Sequence, residues 1–397
     1  MKKEFVHTSE SVTEGHPDKL CDQISDALVD RFFESDPKSR VSAECAVSSS
    51  IVFIAARFAS ETKVDFPNVA RKVIRKIGYT DKEFNFKTCN IITSLKEIAP
   101  DQNFFFEESN ITDDEIDRIP ATDQVTLFGF ACRQSSELMP LPVTLAHSLA
   151  RRLTSVRRDA VLPYLAPDGS TQVGVHYKDG KPFRIHSLTI SATQIDRYVP
   201  TPATLRDDIL THVVDDVFKD QSVRPDNETR LFINPYGFLK LGGPSVHSGL
   251  TGRKNALDTY GGYSRNSGAA LSGKDPLRID RVGAYAARYA AKNVVAAGLA
   301  EECEVELSYA IGLPRPVSVQ VETRGTGIID DTLIAKKVER CFDFRLGGII
   351  RKFNLRLLPS LSKGGFFRKL AVFGHFGRKD LSLPWEETDK TEELIAD

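Results

Sequence analysis

Three times along this chain, runs of β-branched and aromatic residues alternate with stretches of helical apolar spacing, and that recurrence constrains the fold more than any other feature. In the first set an apolar stripe of Leu20, Ile24, Ala27, Leu28 and Phe32 follows Pro17, which suits the first position of a helix. Residues 41–60 then read as paired strands, 64–78 as a helix and 89–95 as a further, buried strand. The second set comprises a helix over 141–158, a strand-and-turn region over 162–195 with turns at 167–169 and 179–181, and a helix over 203–218. The third runs from a strand in 229–237 through a glycine-rich tract to a helix over 281–300, strands in 304–312 and 317–323, and a helix over 331–341. With 397 residues, too many for one typical core, the chain reads as three similar sheet-and-helix domains of the α+β class.

Composition narrows the function classes. Hydrophobic residues make up 41% and charged residues 27%, an ordinary globular balance. A formal net charge of -1 argues against general capture of nucleic acid or of an anionic membrane, and leaves room for a local basic pocket. No apolar run approaches the roughly 18 residues of a membrane span, so the expected address is the cytoplasm. The six cysteines are dispersed with no CxxC pair, which predicts reduced core thiols. Residues 99–122 are acidic, punctuated by prolines, and contain Phe104, Phe105 and Phe106 in a row. They read either as a linker with a hydrophobic anchor or as an active-site lid.

Three clusters carry chemistry of one kind. In EGHPDK, residues 14–19, a helix N-terminus meets His16, Asp18 and Lys19: a hydrogen-bond donor, a hard oxygen ligand for Mg²⁺ and a cation. The glycine-rich tract 242–262 carries Arg253 and Lys254 in a loop suited to close backbone approach to phosphate, although its spacing is not that of a Walker loop. Just before the third-set helix, Lys274, Arg278 and Asp280 again combine cations with a metal ligand. No nucleophile–base motif stands out, which fits displacement by a neutral nucleophile that requires only alignment and stabilisation of a leaving anion.

These segments, TSESVTEGHPDK, GLTGRK with DTYGG, and SGKDP with DR, resemble the signatures of the methionine adenosyltransferases, or S-adenosylmethionine synthetases. Further matches at 121–131, 138–147, 232–237, 286–300, 308–312 and 374–386 keep the likeness collinear over residues 3–390. The resemblance implies three domains around a pseudo-threefold axis, here 3–100, 123–240 and 241–390, with 101–122 in the place of the mobile active-site loop. It implies a homodimer with active sites between flat sheets, often paired into a dimer of dimers. It implies attack of methionine sulfur on C5′ of ATP, with triphosphate then hydrolysed to phosphate and pyrophosphate. By matching position, His16 contacts the triphosphate, Arg253, Lys254 and Lys274 hold phosphates, and Asp18 and Asp280 serve Mg²⁺. Glu44 falls at the K⁺ site, Asp123 and Asp168 place the adenosyl group and substrate, and Ala270, Phe238 and Leu239 fall at nucleotide positions.

The chain departs from the family pattern mainly around the second substrate. Arg57 stands where the family has a glutamate for the methionine ammonium, Ile98 replaces a glutamine, and His247 replaces an aspartate. Ser170 replaces a phosphate-contacting lysine, Phe238–Leu239 replaces Arg-Phe beside adenine, and Arg278 keeps the charge of a lysine. A guanidinium about 4 Å from an ammonium turns roughly 4 kcal/mol of attraction into comparable repulsion at an effective dielectric near 20. Three readings follow: a methionine adenosyltransferase in the ordinary sense, a paralogue that adenosylates another sulfur substrate or hydrolyses ATP or triphosphate, or a catalytically weak binding or regulatory subunit. Whole-chain likeness favours the first; retention of His16, Asp18, Lys274 and Asp280 speaks against the last.

Overall fold

The N-terminal third supplies strands β1 (Glu4–Val12), β2 (Arg40–Ser48), β3 (Ile51–Ala59) and β4 (Asn90–Glu97). The middle third supplies β5 (Val125–Cys132), β6 (Leu165–Lys178), β7 (Lys181–Gln194) and β8 (Arg230–Ile233), and the last third β9 (Gly249–Leu250), β10 (Glu302–Tyr309) and β11 (Ser318–Glu322). They assemble into three sheets with strand orders β4-β3-β2-β9, β1-β6-β7-β8 and β11-β10-β5. Each third therefore lends one strand to another's sheet. The N-terminal third gives β1 to the middle sheet, the middle third gives β5 to the C-terminal sheet, and the last third gives β9 back to the N-terminal sheet. This computed structural model describes residues 4–80, 82–100, 106–195, 199–239 and 242–396. The expected domain limits at 3, 101, 240 and 241, and Phe104 and Phe105 of the aromatic segment, lie outside the described residues.

Helices cover one face of each sheet. In order they are α1 (Pro17–Phe33), α2 (Phe66–Ile77), α3 (Asp113–Ile116), α4 (Leu141–Arg158), α5 (Pro202–Ile209), α6 (Asp215–Phe218), α7 (Asn255–Asp258), α8 (Ile279–Ala296) and α9 (Asp331–Cys341), followed by α10 (Leu346–Phe353), α11 (Leu358–Leu361), α12 (Phe367–Leu370) and α13 (Thr391–Ile395). A π-helical turn, Leu210–Val214, joins α5 to α6, so the expected helix over 203–218 carries one bulge. The apolar stripe of α1 packs on β2 and β3 within a core that extends to α8, β5 and β10. The middle sheet and α4 form a second cluster around Leu149, Val173 and Leu188. Helix α8 lies so close to β5 that a Cβ at Gly129 would stand 1.9 Å from the Ala287 carbonyl carbon, which is why small residues line both elements. All six cysteines are free, five of them buried, as dispersed core thiols should be.

Three expectations are corrected. The segment 167–169 is no turn: it lies within β6, where the pairing with β7 shifts register between Leu165 and Gly169 and a bulge absorbs the proline. The strand in 229–237 opens no third unit but pairs parallel to β7 in the middle sheet. Strand β4 is exposed rather than buried along nearly its whole length, because it is an edge strand and, among the described residues, no helix covers the outer face of its sheet. That outer face presents Ile51, Phe53, Ile92 and Leu250, all more than two-fifths exposed: 45%, 41%, 49% and 48%. Among the described residues no helix is long and apolar enough to cross a membrane.

Candidate active site

Helix α1 carries an aspartate at every fourth position, Asp18, Asp22, Asp26 and Asp30, and the buried carboxylates receive backbone N–H groups from three distant segments, 250–252, 273 and 366–368. Asp18 accepts from Leu250 N at 3.0 Å, Asp22 from Gly252 N at 2.7 Å and Asp26 from Gly273 N at 2.8 Å. Asp30 accepts from Phe366, Phe367 and Arg368 at 2.8 to 2.9 Å, and burial still pushes its carboxyl up to about 6. Four like charges at this spacing destabilise an isolated helix. Here buried cations and loop amides offset them. Lys19 bonds Asp22 at 2.9 Å and also Asp258, and these partners keep its ammonium charged against the opposing effect of burial. The cation expected of Lys19 for phosphate is therefore committed inside the protein. The helix uses it to hold itself together.

At the N-terminus of α1, His16 is the cap: its Nδ1 accepts the N–H of Asp18 at 3.2 Å. Burial first, then the charges of Lys254, His247 and Lys19, hold its pKa down to about 4 despite the pull of Asp18. The imidazole is thus neutral near pH 7, and with Nδ1 accepting, its proton resides on Nε2, free to donate outward. Gly15 is required here, since a Cβ would stand 2.4 Å from the backbone of Pro167 in the β6 bulge. The bulge in turn aims Asp168 inward, where its Oδ2 accepts Gly243 N at 2.7 Å. Burial raises the pKa of Asp168, opposed by that amide and by His247. Arg253 stands 3.8 Å from Asp18, and Lys254 reaches Glu10 at 3.5 Å. Ala270 backs this loop: a Cβ on Gly252 would meet it at 2.2 Å. The Leu239 carbonyl accepts Gln194 N at 2.9 Å, which fixes the Phe238–Leu239 pair beside the same end of β7.

A second group forms along β2. Residues 273–275 run beside that strand, with Ala43 N bonding Gly273 O at 2.8 Å and Lys274 bridging Ser42. Lys274 stands 3.2 Å from Asp280 in the first turn of α8, and burial lowers its pKa against the charge of Asp280. Arg278 bonds Asp123 at 2.9 Å. Beside them a cleft of about 680 Å³ is lined by Arg40, Glu44, Arg57, Lys96, Ile98 and Arg278.

The predicted residues therefore fall into two neighbourhoods within one chain. His16, Asp18, Asp168, His247, Arg253 and Lys254 gather at the N-terminus of α1. Glu44, Arg57, Ile98, Asp123, Lys274, Arg278 and Asp280 gather across the edge of β2 and its outer face. No hydrogen bond or ion pair joins these two sets of side chains among the described residues. Sequence reasoning missed Asp22, Asp26, Asp258 and Arg281, which fix the loops that bear the candidate site. The four-residue spacing of the α1 aspartates was the available signal.

No three His, Cys, Asp or Glu side chains form a ready-made metal cage among the described residues. Single carboxylates at Asp18 and Asp280 suit a magnesium ion that takes its other ligands from phosphate and water. The segment before β5 is tied down at its described end: Arg356 bonds Glu108 and the Phe106 carbonyl, and its guanidinium lies 4.4 Å over the Phe106 ring. Arg345 and Arg351 hold Asp113 at 3.2 and 3.1 Å.

Comparison with known proteins adds a consistent finding. The N-terminal, central and C-terminal domain models of the S-adenosylmethionine synthetase family match residues 4–100, 118–239 and 241–387. S-adenosylmethionine synthase of Trichormus variabilis is 49% identical over 407 aligned residues, covering 99% of this chain and 97% of the relative. The synthases of Gloeothece citriformis and Nostoc punctiforme are 47% and 48% identical, covering 98% and 99% of this chain and 96% of each relative.

Proposed function

The chain belongs to the S-adenosylmethionine synthetase family, it forms S-adenosylmethionine from ATP and methionine, and we propose how its residues divide that work. The thioether sulfur of methionine attacks C5′ of ATP in line. The C5′–O bond breaks, its electron pair leaves on the triphosphate, and a sulfonium forms. A thioether has no proton to lose, so no general base is required, and the demand falls on stabilising the departing anion.

The observation that carries this reading is the neutral His16 cap, with a free Nε2–H, at the positive end of α1 beside Arg253 and Lys254. His16 donates to the oxygen that leaves C5′, and the helix N-terminus, Arg253, Lys254 and Lys274 hold the phosphates. Asp18 and Asp280 hold Mg²⁺, which when bound offsets phosphate charge, and Glu44 belongs to a K⁺ site. Asp168 and Asp123 place the adenosyl group, with Phe238, Leu239 and Ala270 beside the base. Residues 101–122 act as the lid over a frame of domains 3–100, 123–240 and 241–390.

Two neighbourhoods on one chain support an assembly in which each complete site combines the α1 neighbourhood of one protomer with the β2 neighbourhood of its partner. The outer face of β4-β3-β2-β9, with Phe53 and Ile92 uncovered, supports pairing of sheets in a homodimer, alone or as half of a dimer of dimers. The test incubates purified protein with ATP, Mg²⁺ and K⁺, with and without methionine, and follows products by mass spectrometry. S-adenosylmethionine with phosphate and pyrophosphate is expected. Phosphate release without a sulfonium product overturns the reading.

A further inference from the structure

The cleft on the outer face of the N-terminal sheet is built for a negative charge. Arg57 and Lys96 are register partners in the parallel β3–β4 pair, so both side chains leave the same face side by side. Across β2, Arg57 pairs with Ser42, which bridges to Lys274 on its far side. Neither Arg57 nor Lys96 has an ion pair or side-chain hydrogen bond among the described residues. Arg278, on the same cleft, bonds Asp123 through one terminal nitrogen and keeps a buried Nε with no partner.

The acids lining the cleft do not balance these cations. Asp275 is committed, one oxygen accepting Val41 N at 2.8 Å and Arg40 at 3.4 Å, the other Leu277 N at 2.8 Å. With Arg40 set against Asp275 and Arg278 against Asp123, Glu44 is the one lining acid left to face Arg57 and Lys96 among the described residues. Two adjacent unpaired cations repel one another, and an anion between them relieves that repulsion while an ammonium worsens it. A guanidinium presents two parallel N–H groups that match a carboxylate in its own plane. Ile98, at the rim and 40% exposed, offers apolar surface to a thioether chain.

We propose that methionine is taken into this cleft by its carboxylate, with Arg57 as the bidentate anchor and Lys96 beside it, so that selectivity is for an anionic end group and not for the ammonium. This rests on the reading of the cleft as the methionine site. The chemistry is unchanged, since the sulfur still displaces triphosphate from C5′ and becomes a sulfonium.

The test compares kcat/KM of the full chain, with saturating ATP, Mg²⁺ and K⁺, for methionine, for 4-(methylthio)butanoate, which lacks the amine, and for methioninol, which lacks the carboxylate. Removing the amine should change kcat/KM by less than about 3-fold, and removing the carboxylate should lower it by about 30-fold, the range of a charge-assisted hydrogen-bond pair. Arg57→Gln should shrink that second ratio toward one, and Arg57→Glu should reverse the preference. The comparison on the unsubstituted chain stands even where a variant fails to fold. Methionine turnover with methioninol preferred over 4-(methylthio)butanoate overturns this inference alone. No sulfonium product from methionine at any concentration overturns the reading of the function, and this inference with it.

Discussion

Arg281 and Asp26 face each other fork to fork, each terminal guanidinium nitrogen 2.8 Å from one carboxylate oxygen and neither side chain exposed to solvent. The same guanidinium bonds the Lys274 carbonyl at 2.7 Å, and the same carboxylate accepts Gly273 N at 2.8 Å. The pair therefore joins α1 to α8 and clamps the backbone of Lys274 from both sides. Removing one partner leaves a buried charge without compensation, which costs about 3–5 kcal/mol. Arg281→Ala should lose that much in urea unfolding. Asp26→Leu combined with Arg281→Met should lose less than either single change.

Lys274 differs from Arg281 in reaching a partly open site, so its role separates from folding. Lys274→Ala should keep its unfolding midpoint close to the parent while turnover falls about 10²-fold or more, the usual cost of one anion-stabilising group. Asp18→Asn should show a similar loss of turnover and require more Mg²⁺ for half-maximal rate. Near-normal rates in either variant, at saturating Mg²⁺, would contradict the proposed roles.

His16 gives a pH signature. Its folded pKa lies at about 4, below the ordinary histidine value, chiefly because burial disfavours the charge. Between about 6.5 and about 4 the unfolded chain binds a proton there that the folded chain does not, so this contribution to stability is complete above the upper limit and is lost as pH falls through the lower. His16→Gln should therefore lose less stability than the parent on acidification over that window. Nitrogen NMR of the imidazole should show it neutral from pH 8 down to about 5.5. A midpoint near 6.5 would refute the assignment.

The anchor of the segment before β5, proposed above as a lid, is open to proteolysis experiments. Arg356 is 1% exposed and Glu108 9%, and their ion pair fixes the chain near the first described residues of that segment. Arg356→Ala should raise the rate of protease cleavage within 106–120 by at least about 10-fold, equal to about 1.4 kcal/mol of local opening. Arg345 and Arg351 still hold Asp113, so cleavage should concentrate on the N-terminal side of α3.

Much of the fold was legible, and the failures have physical causes. Helix α4 spans Leu141–Arg158, the range its periodicity predicts, because both ends carry local signals in Pro140 and the Arg157–Arg158 pair. Pro167, Asp168 and Gly169 mimic a turn, yet tertiary contacts with Thr13 and Gly15 hold them in a strand. An apolar run such as 89–95 signals coverage without saying whether the cover is a helix of the same chain. The gathering of His16 and Arg253 around Asp18, and of Lys274 beside Asp280, was not readable from spacing, and residue type offered only the expectation of a phosphate site. Nor was the fate of Lys19 readable, because its partner Asp258 is 239 residues away in sequence.

The three sheets borrow from one another in a closed circuit, β1 to the middle, β5 to the last and β9 back to the first. No third can melt without tearing a strand out of a neighbour, and the turn that follows β9 is the one that presents Arg253 and Lys254. Damage anywhere in the ring is thus felt at the surface that carries Arg253 and Lys254. Proteolytic fragments cut at the family-model borders should be unable to hold that surface in shape until all three are brought back together.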